Sequence, residues 1–292
     1  MNLIDGKKIS EELKREIAAK TAAIIDSDGT PPHLAAVLVG DDPASQSYIK
    51  SKEKSCQAVG FTSSVYRYPS GITEQQLIEA IDFLNKDDEI HGFIVQLPLP
   101  AHINADRVLQ RIDPAKDVDG FHPVNIGRLA LGLPSYLPAT PAGIMLLLEK
   151  SGIETEGKHC VVLGRSNIVG TPVSLLMSRK ARPGNSTVTL CHSKTKDLPS
   201  IIRQADILIA AIGQPEFVKG SMVKDGAVVI DVGIHRVDDD SEKGYHITGD
   251  VDFNDVAPKC SFITPVPGGV GPMTVVSLLL NTFKAYNKEI YG

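Results

Sequence analysis

Short aliphatic and β-branched runs alternate with longer amphipathic stretches along nearly the whole chain, and this rhythm limits the possible folds sharply. Residues 34–39 (LAAVLV), 64–68 and 92–97 read as strands, separated by helical stretches at 44–59 and 74–85 and followed by a short helix at 105–112. A second series places strands at 160–163, 187–190, 207–212 and 228–232, with helices near 171–180 and 198–204. Strands that return through helices pair in parallel, and a parallel sheet needs helices over its faces. The expected class is therefore α/β, and 292 residues suit two such units better than one. Between the series lies DPAKDVDGFHPVNIGRLALGLPSYLPATP, an irregular stretch of a length usually reserved for function or for passage between domains. A helix with Pro141 at its first position then links the two series. The chain closes with PVPGGVGP and a helix over 274–289, expected to return to the first unit. The expected division is residues 1–139 with 272–292, and residues 140–271 including the linking helix.

A formal net charge of −5 argues against partners that demand a broad basic face, so neither nucleic acid nor an anionic membrane is expected. Four scattered cysteines without CxxC spacing read as reduced structural thiols. The first residues run almost at once into a charged amphipathic helix, unlike a secretory leader, and no apolar run approaches a membrane span. A cytoplasmic location is the expectation. The eight histidines show no metal-ligand pairing, so no metal is expected. The acid cluster at 238–242 reads as a solvated hairpin tip.

The strand HCVVLG runs into RSNIVGTP and then a helix, placing Gly164, Ser166 and Gly170 in a strand-to-helix turn. Glycines there let backbone N–H groups approach a phosphate at a helix N-terminus. The spacing is not G-x-G-x-x-G, so an ordinary tight turn fits it equally well. The next strand is informative. An NAD site ends that strand in a carboxylate for the ribose 2′-hydroxyl, whereas VTLC ends in His192-Ser193-Lys194 with no acid before Asp197. With Arg165 in the first turn, hydroxyl and cations suit a 2′-phosphate, so NADP is expected over NAD.

In the first half, Tyr48 and Lys52 lie four apart on a helix and share a face. A surface tyrosine stacked on a lysine stem has the same spacing. So do the short-chain dehydrogenases, but there the pair follows the glycine turn, and here it precedes it. Gln96 ends the apolar strand before LPLP, either as a satisfied strand-end amide or as a group at the ligand edge of a parallel sheet. Asp117 and Asp119 flank Val118 just before Gly120; one carboxylate could face a cleft while the other holds the loop. PVPGGVGP is a shaped loop with free N–H groups, suited to closing on a flat ligand or nucleotide, although a helix-entry loop has the same composition.

The ordered set DPASQSYIKSK, VQLPLP, KDVDGFHP-N-GRL, GRSNIVGTP, CHSKTK and PVPGGVGPMT resembles the bifunctional methylenetetrahydrofolate dehydrogenase/methenyltetrahydrofolate cyclohydrolase family over essentially the whole chain. The resemblance implies a catalytic folate-binding domain and a Rossmann-like NADP domain, joined by long helices with a cleft between them. It implies oxidation of 5,10-methylenetetrahydrofolate with NADP, hydrolysis of the methenyl product to 10-formyltetrahydrofolate, and a homodimer. By the same resemblance Lys52 is the catalytic lysine, Tyr48 stacks on the folate, Gln96 tunes Lys52 and Asp119 binds the pterin, with Pro267, Gly268 and Gly269 beside the substrate. Cofactor contacts fall on Gly164, Arg165, Ser166, Ile168, Val169, Gly170, His192, Ser193 and Ile234. Many relatives carry a cysteine where this chain has Ala139, and the mechanism assigns that position no role.

Overall fold

The structure, a computed structural model, describes residues 1–240 and 244–291. In chain order the elements are β1 (Asn2–Leu3), α1 (Gly6–Asp26), β2 (His33–Val39), α2 (Pro43–Ala58), β3 (Thr62–Tyr68), α3 (Glu74–Lys86), β4 (Gly92–Val95), α4 (Ala105–Arg111), α5 (Pro123–Ala130) and α6 (Ala139–Lys150). They continue with β5 (His159–Leu163), α7 (Gly170–Ser178), β6 (Thr187–Cys191), α8 (Leu198–Ile202), β7 (Ile207–Ala210), β8 (Val228–Asp231), β9 (His235–Asp238), β10 (Tyr245–Thr248), α9 (Phe253–Val256), β11 (Phe262–Ile263) and α10 (Val270–Tyr286). The chain divides into two compact units, one of Glu12–Ala139 and Val275–Gly292, the other of Met1–Glu11 and Thr140–Thr274.

The first unit is built on a parallel sheet of order β3-β2-β4. β2 and β4 are buried along almost their whole length, as expected of strands with helices on both faces. One face packs Val37, Leu77, Ile81, Phe93 and Val108; the other packs Leu38, Ile49, Cys56 and Ile94 with Leu278 and Leu279 of α10. The irregular stretch after α4 contains a short helix of two turns, interrupted in sequence by Gly127 and therefore easily read as loop. α5 starts at Pro123, preorganised for a first turn, with His122 accepting from the Val124 N–H.

The second unit has a six-stranded parallel sheet of order β1-β11-β8-β7-β5-β6. Strand order reverses at β5, which has β6 on one side and β7 on the other. Ligand crevices in open α/β sheets form outside the carboxyl ends of strands at such a reversal. Residues 1–11, assigned above to the first domain, belong here. Two strand residues are too short a run to announce themselves, but Asn2 and Leu3 pair with Phe262 and Ile263 at the sheet edge. The last helix likewise begins at Val270 rather than 274, because proline is tolerated in a first turn and Pro272 sits there. β9 and β10 form an antiparallel ribbon; the acid cluster expected at its tip falls partly on 241–243, outside the described residues. All four cysteines are free and buried. Among the described residues, no helix is long and apolar enough to cross a membrane.

Candidate functional site

In the first unit, three side chains converge near the carboxyl ends of β2 and β4. α2 is started by Asp42, which accepts from the Ser45 N–H at 2.8 Å, followed by Pro43. Its buried positions include Ser45, Ile49 and Cys56, and Lys52 falls between the last two at helical spacing, so its ammonium is carried to the inner side. Tyr48, one turn earlier, remains 48% exposed and offers a ring face to anything that lands there.

Lys52 Nζ donates to Gln96 Oε1 at 3.1 Å. The orientation of that amide is set by its other end, because Gln96 Nε2 donates to the Leu97 carbonyl at 2.7 Å and leaves the oxygen for the lysine. Gln96 is itself held by its backbone N–H, which continues the β2–β4 pairing to the Val37 carbonyl. Burial pushes the Lys52 pKa below the lysine norm, with the Asp119 carboxylate pulling the other way. Burial also raises Asp119, opposed by Lys52. A weakly basic amine and a reluctant carboxylate thus lie within electrostatic reach of each other, an arrangement typical of proton-transfer sites.

Asp119 hangs on a loop anchored at several points. Phe93 pairs with Asp117 beyond the end of the sheet. Asp117, only 1% exposed, accepts from the backbone N–H groups of Phe121 and His122 and from Asn125 Nδ2. Burial lifts its pKa to about 7 against those donors. Of the two acids, Asp117 therefore holds the loop. Gly120 turns the chain at φ +75°, where a Cβ would come within 2.6 Å of the Leu137 carbonyl carbon, so no larger residue fits. Asn281 of α10 donates to the carbonyls of Val118 and Leu137, closing the loop from behind. Asn281 is not singled out by the motifs of the chain. Its only signal is a polar residue within an apolar helical stripe.

In the second unit the turn after β5 presents Gly164, Arg165, Ser166, Ile168, Val169 and Gly170 together. Gly164 has φ +116°, and a Cβ there would lie 2.0 Å from the Ala211 carbonyl oxygen. A Cβ on Gly170 would lie 1.9 Å from the Gly164 oxygen. Both glycines are required by close packing of strand, turn and helix, the role such glycines play in dinucleotide folds. Ser166 Oγ accepts from the N–H groups of Val169 and Gly170, and Ile168 is 43% exposed. His192 and Ser193 follow β6 directly. The His192 N–H donates to Thr195 Oγ1, and His192 Nδ1 accepts from the Lys194 N–H, so that the end of the strand curls tightly. Ile234, beyond β8, is 55% exposed.

Pro267, Gly268 and Gly269 also lie in this unit, apart from the Lys52 group in their assignment. Gly268 takes φ +106°, and its carbonyl accepts from the Lys7 N–H at 3.0 Å. A Cβ on Gly6 would meet the Gly269 oxygen at 1.8 Å. The N-terminal segment thus packs on the PVPGGVGP loop, a second reason it belongs here. Two buried carboxylates in this unit, Asp231 and Asp250, escaped notice in the sequence.

The fold and these groups define a two-unit α/β enzyme in which one unit has the topology of a dinucleotide-binding domain and the other carries a partly buried lysine, amide and carboxylate. Residues 4–119 match the catalytic domain of the tetrahydrofolate dehydrogenase/cyclohydrolase family, and residues 138–290 match its NAD(P)-binding domain. The chain belongs to that family. It is 60% identical to the bifunctional protein FolD of Bacteroides fragilis over 292 residues, all of both chains. Its fold superposes on the bifunctional FolD dehydrogenase/cyclohydrolase of Campylobacter jejuni with a TM-score of 0.93 and 49% identity, over 99% of each chain. The Trypanosoma brucei dehydrogenase-cyclohydrolase, solved with NADP and an inhibitor, gives 0.92 and 38% identity over 99% of this chain and 98% of that one.

Proposed function

We propose that Lys52, Gln96, Asp119 and Tyr48 form the folate-processing site of a bifunctional enzyme of one-carbon metabolism. The enzyme oxidises 5,10-methylenetetrahydrofolate to the 5,10-methenyl form with NADP and hydrolyses that product to 10-formyltetrahydrofolate. The observation that carries the residue assignment is the 3.1 Å hydrogen bond from a partly buried Lys52 to Gln96, beside Asp119.

The methenyl carbon is a cationic, amidinium-like centre, and water adding to it must lose a proton. Lys52 in its neutral form accepts that proton, directly or through a second water. Its lowered pKa makes the neutral form accessible, and Gln96 aims the amine. Asp119 accepts from the adjacent amino and ring N–H groups of the pterin, and the exposed Tyr48 ring covers the flat face. Hydride transfer needs no strong acid or base, only alignment of donor and acceptor carbons.

The tight strand-to-helix turn at Gly164 and Gly170, leading into the N-terminus of α7, suits a dinucleotide-binding unit. NADP supplies the hydride acceptor. Arg165, Ser166, His192 and Ser193 would hold its 2′-phosphate side, Ile168, Val169 and Ile234 would pack against it, and Pro267, Gly268 and Gly269 would lie beside the substrate. The full-length match to the family supports a homodimer in the cytoplasm, and the buried free thiols accord with a reducing compartment.

The test supplies methylenetetrahydrofolate and NADP and follows NADPH formation and methenyl decay in parallel. Both signals with NADP, and much weaker ones with NAD, support the reading. NAD turnover equal to NADP turnover at matched concentration overturns the cofactor assignment.

A further inference from the structure

Two buried carboxylates outside the sites described so far lie at the carboxyl ends of β7 and β8. Asp250 is 0% exposed. One of its oxygens accepts from the backbone N–H groups of Ile212 and Gly213 at 2.7 and 3.0 Å. The other accepts from the Gln214 N–H at 3.0 Å and from His235 Nε2 at 2.7 Å. Three successive backbone donors after β7 are thus gathered on one carboxylate, and a fourth donor ties in β9. Asp231, at the end of β8, accepts from the N–H groups of Gly233, Asp250 and Val251. The packing tolerates no side chain at the crossings. A Cβ on Gly233 would sit 2.3 Å from the Asp250 nitrogen, and one on Gly249 would sit 1.9 Å from Asp231 Oδ2.

This knot reaches the phosphate turn through the backbone. Gly164 lies against the Ala211 carbonyl, and Ala211 immediately precedes the segment that Asp250 holds. The Ala211 N–H in turn donates to the Leu163 carbonyl at 2.7 Å, just before the turn. On the other side, Ile234 lies between Gly233, which Asp231 holds, and His235, which Asp250 holds. Loops at the carboxyl edge of a sheet have no ladder partners of their own, so their positions depend on such side-chain anchors.

We propose that Asp250, braced by His235, is a positioning residue for the dinucleotide cradle, setting where the 211–214 segment and Ile234 stand against the glycine turn. It touches no reacting atom. It rests on the NAD(P)-binding assignment of this unit, and its effect is confined to cofactor binding and hydride transfer.

The deciding experiment is Asp250→Asn in the full chain, with NADPH affinity read by fluorescence titration and cyclohydrolase read on methenyltetrahydrofolate without cofactor. An asparagine turns an amide NH2 toward backbone donors on one side, so NADPH affinity is expected to fall about tenfold or more while cyclohydrolase stays within about twofold of the parent. A companion pair, His235→Phe and His235→Gln, removes and retains the side-chain donor. The phenylalanine variant is expected to raise the KM for NADP about threefold, with partial recovery in the glutamine variant. Parental NADPH affinity in a folded Asp250→Asn protein overturns the proposal. Equal losses in both activities also overturn it, by showing a merely structural role. If Asp250→Asn does not fold, the histidine pair decides, and an unchanged KM for NADP in His235→Phe is fatal. A parent protein that binds no NADPH would instead refute the cofactor assignment beneath the proposal.

Discussion

The two units place their functional groups at the same edge of a parallel sheet but build them from different material. In the unit of β2 and β4 the proposed chemistry resides in side chains. Lys52, Gln96 and Asp119 come from a helix, a strand end and a loop, and their protonation is governed by burial and by one another. In the unit of β5 to β8 the cradle is backbone, made possible by glycines with no room for a Cβ and by buried aspartates that gather N–H groups. The contrast follows from the tasks. Moving a proton needs a group with a tuned pKa, whereas holding a dinucleotide for hydride transfer needs accurately placed dipoles. Substitutions in the first unit should therefore damage chemistry or folate binding, and those in the second should damage cofactor affinity.

The largest expected effect is for Lys52→Met, which should lower cyclohydrolase by about 10²–10⁴-fold with NADPH affinity intact. Near-parental methenyl hydrolysis in that variant would erase the distinction between the units. Asp119→Ala should raise the folate KM in both activities by roughly ten- to a hundredfold, as loss of a charged acceptor does. Steady-state kinetics on both substrates test this, and unchanged folate affinity would remove Asp119 as the anchor. Gly164→Ala sharpens the other side. A methyl group 2.0 Å from the Ala211 oxygen, at φ +116°, should weaken NADPH binding on the order of tenfold and leave cofactor-free cyclohydrolase nearly intact.

The smallest and most diagnostic effect concerns pH. Because only neutral Lys52 accepts a proton, cyclohydrolase should rise with pH and level off below 10.5, the ordinary lysine value. Gln96→Ala removes an acceptor that favours the ammonium, so the inflection should move to lower pH while the plateau falls. A profile that ignores this substitution would detach Gln96 from the lysine. The sign for stability is the same as for any depressed pKa. The contribution of Lys52 is fully present above 10.5 and is lost as pH falls through its lowered value, which thermal melts across that range can follow.

Much of this was legible from the chain alone. The alternation of strand and helix predicted the α/β class and nearly every long element, because buried parallel strands leave uninterrupted apolar runs such as LAAVLV and GFIV. The glycine turn was visible as a motif whose spacing fits an ordinary tight turn equally well, and only the tertiary structure shows Gly164 lying against Ala211. The roles of Lys52, Gln96 and Asp119 came from resemblance to the family, since nothing local distinguishes a buried lysine from an exposed one at the same helical spacing. α5 escaped because eight residues, with a proline at the start and a glycine within, are too short a run for a helical period to stand out.

Local pattern, in the end, settled what each segment is: strand, helix or glycine turn, each dictated by side-chain period and backbone freedom within a few residues. Tertiary structure alone decided which segments meet. It put Gln96 on Lys52 across 44 positions, paired Asn2 with Phe262, and brought Asp250 onto the turn after β7. Those contacts depend on sheet order and on burial, and both are properties of the folded chain that no window of sequence contains.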